Sequence, residues 1–100
     1  MKKFMNKAED FVKEMIEGVY LASQGKLKYV PEYNIIYRAD MPNDNKVSII
    51  QGSGSGHEPA HIMTGGKGML DAACPGNVFA APPMDYVLEC TKLMNSKKGV

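Results

Sequence analysis

Apolar residues recur every three or four positions along the first quarter of the chain. They form one stripe: Ala8, Phe11, Val12, Met15, Ile16, Val19 and Tyr20. This spacing places side chains on one face of an α-helix. It predicts an amphipathic helix that begins after an Asn6 cap and stops before Gly25, with the stripe packed into the core. Gly18, within the helix, costs about 1 kcal/mol relative to alanine.

The segment from Lys26 to Asp40 has no helical period. Its aromatic and β-branched residues favour extended structure, which Pro31 interrupts. A cluster of turn-forming residues follows at 42–45. The apolar run at 46–51 then predicts a short buried strand that leads into a glycine-rich loop.

The second half of the chain alternates between predicted helices and one further strand. A helix is predicted to begin near Pro59, because proline suits the first helical turn, and a strand is predicted at 78–81. After Pro82-Pro83, the apolar spacing predicts a helix that ends in the lysine-rich segment 95–99. The alternation predicts an α/β fold, the N-terminal part of a layered α/β domain with a largely parallel sheet. A further strand would be due after Val100, so we expect the domain to be truncated.

Composition narrows the class of protein. With 44% hydrophobic residues, 23% charged residues and a formal net charge of +1, the chain is typical of a soluble globular protein, and its charge suggests neither nucleic acid nor an anionic membrane as a partner. The charged N-terminus is unlike a signal peptide, so a cytoplasmic location is expected. Cys74 and Cys90 are too few for a disulfide scaffold and are predicted to be reduced, buried thiols. No repeat or linker divides residues 1–100, which we interpret as one N-terminal fragment.

The most distinctive stretch is GSGSGHEPAH at residues 52–61, directly after the predicted strand. Two phosphate-binding patterns fail here. A P-loop that used Lys67 would need glycine at position 61, where histidine stands, and the dinucleotide fingerprint would need glycine or alanine in place of His57. Glycines that follow a strand can nevertheless leave backbone N–H groups free to bind a polar oxygen or an anion.

The segment from His57 to His61 also matches the zinc-binding pattern H-E-x-x-H by letter. That pattern works within a helix, where both histidines face the same way and the glutamate acts as a base. Pro59 and the preceding glycines place the pair at a helix start instead. A catalytic zinc also needs a third protein ligand, which the two histidines of this chain cannot supply. No metal is therefore expected.

A loop that binds a small molecule is the third interpretation. Gly54 and Gly56 would allow the backbone to approach a ligand closely. Ser53 and Ser55 would add hydroxyls, and His57 could donate, accept or carry a proton near neutral pH. A plain glycine turn, with His57 bonded to backbone, explains these residues equally well.

The same stretch carries a family resemblance. GSGSGHEPAH, followed by GKGML and DAACPGNVFA, resembles the start of the substrate-binding subunit of dihydroxyacetone kinases. The Arg38-Ala39-Asp40 triplet and the strand at Lys46 fit the same pattern. The resemblance extends over essentially the whole chain. Its glycine–histidine core, joined to Gly-Met-Leu and Cys-Pro-Gly, is far more specific than a glycine pattern alone.

The resemblance implies an α/β subunit, usually a homodimer, that binds dihydroxyacetone. It implies that His57 hydrogen-bonds the ketone and that Gly54 contributes its backbone N–H, with Ser53 and Ser55 in the same substrate-binding loop. In the family a lysine, an aspartate and a histidine that holds the ketone covalently complete the site. These lie beyond Val100, so no catalytic residue is assigned, and this chain alone is predicted to be inactive. In the phosphotransferase-linked kinases the phosphoryl donor is ADP-bound in a separate partner subunit, so no cofactor is expected here, whereas free-standing relatives carry an ATP-binding domain on the same chain.

Departures from the family pattern leave a second function open. Ala80-Ala81-Pro82 stands where the family commonly has serine before proline, and residues 62–65 replace a glycine–aromatic step. Such losses are expected in a paralogue that keeps binding and relaxes catalysis. The two hypotheses are a kinase subunit and a non-catalytic dihydroxyacetone sensor that co-activates a transcriptional regulator. In either, His61 is expected to be structural and Lys67 to be a solvated loop charge.

Overall fold

Two α-helices and four strands make up the computed structural model, which describes all of residues 1–100. The elements are α1 (Phe11–Ala22), β1 (Leu27–Val30), β2 (Ile35–Arg38), β3 (Ile50–Ser55), β4 (Ala72–Val78) and α2 (Met84–Met94). Single 3-10 turns lie at Ala8–Asp10, Pro31–Tyr33 and Ile62–Thr64. Neither α-helix has the length and apolar character that crossing a membrane requires.

Both predicted amphipathic helices are confirmed. α1 begins at Phe11, and the Asn6 amide does not cap it but donates to the two carboxylate oxygens of Glu14 at 3.2 and 3.1 Å. The helix ends at Ala22, ahead of Gly25, whose φ of +81° lies in the left-handed region that glycine enters without steric cost. α2 starts directly after the proline pair, as predicted.

The four strands form one mixed sheet in the order β1-β2-β4-β3. The segment predicted to be extended is a hairpin, in which β1 and β2 pair antiparallel and the chain turns through Pro31–Tyr33 and Asn34. β2 and β4 are also antiparallel, and only β3 and β4 run parallel. The α/β class is therefore confirmed, but the sheet is mixed rather than largely parallel. The reason is the short connection between β1 and β2, since a tight turn can join only antiparallel strands.

The sheet is covered by a helix on each face. One cluster of buried apolar residues lies between the sheet and α2: Ile35, Met41, Ala72, Cys74, Cys90 and Met94. A second cluster lies between the sheet and α1: Val12, Ile16, Ile36, Ile62 and Ala73. Burial on both faces explains why β2 and the first half of β4 are continuous apolar runs. Both cysteines are buried free thiols, as predicted.

The strand that leads into the glycine stretch lies further along the chain than predicted. The apolar pattern predicts it at 46–51, whereas β3 spans Ile50–Ser55 and so includes most of the segment predicted to be a loop. Glycine and serine both have low strand propensity, which is why the sequence conceals this strand.

The strand predicted at 78–81 is also displaced, because β4 spans Ala72–Val78. Pro75 and Gly76 lie inside it, and both residue types are rare in strand interiors. β4 accommodates them near its end, where the pairing with β3 shifts in register after Ser53.

The helix predicted to begin near Pro59 does not form. A single 3-10 turn at Ile62–Thr64 takes its place, and the Met63 N–H donates to the Pro59 carbonyl at 3.0 Å. The glycines at positions 65 and 66 stop this turn from growing, because glycine is a poor helix former.

A buried carboxylate joins three separate parts of the chain. Asp71, directly before β4, has no exposed surface. Arg38 Nη1 donates to one of its oxygens at 2.9 Å, while Lys46 Nζ and the Ile49 N–H, the latter at 2.8 Å, donate to the other. Burial alone would raise the pKa of Asp71, but the donors outweigh burial and hold that pKa below its usual value. Asp71 thus ties the end of β2 and the segment before β3 to the start of β4.

Replacing Asp71 with asparagine should lower the free energy of unfolding of the intact protein by about 3 kcal/mol, because removing one partner of a buried ion pair leaves uncompensated charge. Urea denaturation followed by circular dichroism measures the change. Asp85→Asn, which alters an exposed aspartate in the first turn of α2, is the matched control and should cost at most about 1 kcal/mol. An Asp71→Asn protein as stable as this control would contradict the role assigned to Asp71.

The stability that Asp71 contributes should disappear in acid. Its pKa is lower in the folded protein than in the unfolded chain, where aspartate titrates near about 3.9. The contribution is therefore complete above that value and is lost as the pH falls through the folded-state pKa. The difference in unfolding free energy between the native protein and Asp71→Asn should shrink below about pH 4. Denaturation curves at neutral pH and in acid test this, and a difference that does not change with pH would refute it.

Candidate ligand site at the end of the parallel strands

β3 and β4 end side by side at one edge of the sheet. Ser55 lies opposite Val78, and the Ser55 carbonyl accepts a hydrogen bond from the Phe79 N–H at 2.8 Å. In α/β sheets, ligands bind outside the carboxyl ends of parallel strands. The four predicted ligand-binding residues, at positions 53, 54, 55 and 57, all lie at this end.

Gly52, Gly54 and Gly56 point to one face of β3, because residues two apart in a strand face the same way. A Cβ atom built on Gly52 would lie 2.7 Å from Cγ of Pro82, and one built on Gly54 would lie 2.8 Å from the nitrogen of Ala80. Both distances are too short for any real contact. The glycines therefore allow the connection between β4 and α2 to pass directly over β3. The close approach expected at Gly54 is made on this face by the chain itself.

The two serines project from the other face of β3. Ser55 has no exposed surface, and its hydroxyl donates to the Gly76 carbonyl at 2.8 Å. Ser55 therefore holds β3 to β4 and does not reach the surface. Ser53 is half-buried, and its hydroxyl has no partner within the chain. Of the two, Ser53 is the serine available to a ligand.

β3 is an edge strand whose backbone donors alternate between two sides. The Ile49 carbonyl accepts from the Asp71 N–H at 2.9 Å, and the Ser55 carbonyl is bonded on the same side. Odd-numbered residues of this strand therefore direct their backbone groups towards β4. Even-numbered residues, including Gly54, direct theirs towards the free edge. This places the Gly54 N–H on the open side of the sheet.

His57 follows the strand and lies on the surface. Its imidazole makes no hydrogen bond within the chain and contacts the ring of His61 edge-to-face, with ring centroids 5.9 Å apart and an angle of 81° between the planes. His61 is half-buried, and its carbonyl accepts from the Thr64 hydroxyl at 2.6 Å. His57 is thus free to bind a ligand, while His61 is anchored in the turn that follows.

Glu58 binds the backbone. The Gly56 N–H donates to both of its carboxylate oxygens, at 3.2 and 3.1 Å. The segment from His57 to His61 is a turn and not a helix, so the two histidines do not have the arrangement that the zinc pattern requires. No three histidine, cysteine, aspartate or glutamate side chains are grouped where they could hold a metal ion.

Phe79 is a further residue at this end that the sequence pattern does not single out. Its backbone has a φ of +52°, its side chain is 78% exposed, and its ring lies 3.4 Å from a Cβ built on Gly56. Phenylalanine rarely adopts the left-handed region, so no local rule predicts this conformation. The contact between Glu58 and the Gly56 N–H, in contrast, could have been predicted, because a carboxylate two residues after a glycine can accept a hydrogen bond from the glycine N–H.

Two clefts of the molecule lie elsewhere. One of about 700 Å³ is lined by residues of α1, by Arg38–Asp40 and by the segment 62–67, and another of about 560 Å³ extends towards Lys46. Neither includes a residue between 52 and 58. Of the basic residues that line them, Arg38 and Lys46 are already paired with carboxylates. We therefore place the candidate site at the strand end. Lys67 lines both clefts but is exposed and has no ion-pair partner, as expected of a solvated loop charge.

Comparisons with known proteins point to one family. Residues 17–100 match the Dak1 domain. The dihydroxyacetone-binding subunit DhaK of the PEP-dependent dihydroxyacetone kinase of Escherichia coli (strain K12) is 40% identical over 101 aligned positions, which cover 100% of this chain and 28% of that protein. The DhaKLM operon coactivator DhaQ of Lactococcus lactis subsp. lactis (strain IL1403) is 42% identical over 98 positions, covering 98% of this chain and 29% of the coactivator.

The solved structures agree with this result. The crystal structure of the dihydroxyacetone kinase of C. freundii in complex with AMP-PNP and Mg²⁺ matches with a TM-score of 0.84 at 39% identity, over 95% of this chain and 18% of the kinase chain. The chain therefore spans less than a third of the length of each of these relatives.

Gly54→Ala should destabilise the intact protein by about 1–3 kcal/mol, the usual cost of overpacking. The added carbon would lie 2.8 Å from the Ala80 nitrogen and 3.0 Å from the Phe79 Cα, so the connection would have to move away from β3. Gly18→Ala is the control, because Gly18 lies in α1 with open space around it, and alanine there should stabilise by about 1 kcal/mol. Thermal unfolding of both variants is the measurement. A Gly54→Ala protein as stable as the native one would show that the crossing does not need glycine.

Proposed function

This chain belongs to the Dak1 domain family, and on that premise we propose that it binds dihydroxyacetone as part of the substrate-binding subunit of a dihydroxyacetone kinase. The observation that carries the proposal is the end of β3, where the Gly54 N–H, the Ser53 hydroxyl and the His57 imidazole are available within five consecutive residues. A triose ketone offers a carbonyl and two hydroxyls. Such a ligand needs convergent donors and acceptors more than it needs a large apolar pocket.

Each group has a separate part in this proposal. The Gly54 N–H donates to one ligand oxygen from the free edge of β3, and His57 donates to or accepts from another. Ser53 adds a hydroxyl at the neighbouring position. Ser55 supports the strand through its bond to Gly76 and does not touch the ligand. Groups fixed in this way orient a small substrate, and orientation is a large part of what an enzyme contributes to phosphoryl transfer.

The phosphoryl donor is proposed to be held by a separate, ADP-bound subunit, as in kinases linked to the phosphotransferase system. In support, the chain is 40% identical to the dihydroxyacetone-binding subunit of a PEP-dependent dihydroxyacetone kinase. The base and the covalent histidine that the family resemblance implies are not among residues 1–100, so these residues serve binding and not bond formation. A homodimer and a cytoplasmic location belong to the same proposal.

A second candidate is a non-catalytic dihydroxyacetone sensor that co-activates a transcriptional regulator. It is favoured by the 42% identity to the coactivator DhaQ, which is no lower than the 40% identity to the kinase subunit DhaK. Both candidates use the same binding groups, so turnover is what separates them. Formation of dihydroxyacetone phosphate by the intact protein with its partner subunit supports the kinase. Binding of the ketone without phosphorylation supports the sensor.

Dihydroxyacetone binding should depend on His57. We expect His57→Ala to weaken binding by the intact protein about tenfold, because a hydrogen bond to a polar ligand contributes about 1–1.5 kcal/mol. His57→Gln should retain part of the affinity, since its amide can still donate and accept. Isothermal titration calorimetry measures both, with Lys67→Ala, an exposed loop charge, as the control. Undiminished binding by His57→Ala would rule out this site, and a native protein that does not bind the ketone would rule out the proposed function.

A further inference from the structure

The end of β3 already holds an anion, the carboxylate of Glu58. We propose that Glu58 makes this site select neutral ligands over phosphorylated ones. The Gly56 N–H donates to its two oxygens at 3.2 and 3.1 Å. The inference rests on the proposed function, because it concerns the choice of ligand at the same site. Its test on phosphate, however, does not require that the protein bind dihydroxyacetone.

Without Glu58, this strand end would favour an anion. The Ser55 carbonyl points towards β4, where it accepts from the Phe79 N–H, so the N–H of Gly56, on the opposite side of the same planar peptide, points towards the free edge, as does the N–H of Gly54. The edge of a sheet is one of the places where backbone N–H groups bind anions. A site built only from these donors would retain inorganic phosphate or a phosphorylated triose as readily as a neutral ketone.

Glu58 changes both the number of unpaired donors and the charge at that edge. It satisfies the Gly56 N–H, and it adds a negative charge to the strand end two residues beyond Gly54. None of the ion pairs in the chain includes Glu58, so no lysine or arginine neutralises this charge. The carboxylate therefore presents its charge to whatever binds at the edge.

The turn that returns Glu58 to the strand is held on its other side. Gly56 has a φ of +107°, a value that residues with a side chain rarely adopt. Its face is covered by Val78 and Phe79, whose nearest side-chain atoms lie 3.2 and 3.4 Å from a Cβ built on Gly56. Packing thus constrains Gly56, from which the turn to Glu58 begins.

The expected size of the effect follows from the charges. A carboxylate and a phosphate a few ångströms apart at an exposed strand end repel each other enough to lower affinity about tenfold. A neutral ketone is not repelled, and its hydroxyls can donate to the lone pairs of the carboxylate that remain free. In a kinase the same charge would favour release of the phosphorylated product.

Phosphate titration of the intact protein tests the inference. Native protein, Glu58→Gln and Glu58→Ala are titrated with inorganic phosphate and with dihydroxyacetone phosphate, while the ¹H–¹⁵N amide signals of Gly54 and Gly56 are followed by NMR. Glu58→Gln removes the charge but keeps an acceptor for the Gly56 N–H, and Glu58→Ala removes both. We expect Glu58→Gln to bind phosphate about tenfold more tightly than the native protein, and Glu58→Ala at least as tightly as Glu58→Gln. Glu32→Gln, an exposed glutamate in the Pro31–Tyr33 turn, should leave phosphate affinity unchanged.

Equal phosphate affinity in the native protein and the Glu58 variants would overturn the inference. Circular dichroism and thermal unfolding establish that each variant folds, and the isosteric Glu58→Gln decides the question if Glu58→Ala does not fold. Dihydroxyacetone titration of the same samples separates this inference from the proposed function. If the native protein does not bind the ketone but the variants bind phosphate more tightly, the proposed function fails and the role of Glu58 stands. If the native protein binds the ketone and the variants show no increase in phosphate affinity, only the role of Glu58 fails.

Discussion

The arrangement of the strands depends on the buried carboxylate of Asp71. A charge with no exposed surface is costly unless donors surround it, and its donors come from the end of β2, from Lys46 and from the backbone at Ile49. Asp71 directly precedes β4, so satisfying it brings β2 and the start of β3 to the two sides of the same strand. Only with β3 beside β4 do the two strands end together at Ser55 and Val78. The candidate site therefore depends on the Asp71 contacts, which lie at the opposite end of the strands.

Features with a local physical cause were predictable from the sequence. The apolar stripe of α1, the extended segment interrupted at Pro31 and the burial of the two cysteines each depend on neighbouring residues or on one residue type. The Asp71 network was not predictable in this way. Its partners Arg38 and Lys46 are 33 and 25 residues away in the chain, and no periodicity links positions so far apart.

β3 shows how a local rule can mislead. Glycine and serine are poor strand formers, so their composition predicts a loop. Their order, however, has the period of two that marks a strand, with Gly52, Gly54 and Gly56 on one face. The glycines are needed because residues 79–82, a later part of the chain, cross that face in van der Waals contact. The period of two thus indicated a strand. The choice of glycine reflected packing against residues 79–82, which are distant in the sequence.

The candidate site residues were proposed from the sequence, but the different surroundings of each one were not predictable from it. Ser53 and Ser55 are the same residue type in the same strand, yet their hydroxyls differ. The Ser53 hydroxyl has no partner within the chain, whereas the Ser55 hydroxyl donates to the Gly76 carbonyl. Local sequence does not distinguish the two, because their surroundings depend on how the strand packs. The three residues that follow also have different roles. Gly56 turns the chain, His57 is left without an internal partner, and Glu58 returns to occupy the Gly56 N–H. Backbone donors and an imidazole would bind an anion as well as a neutral ketone, so on our proposal the choice of ligand depends on the charge placed beside them rather than on the shape of a cleft.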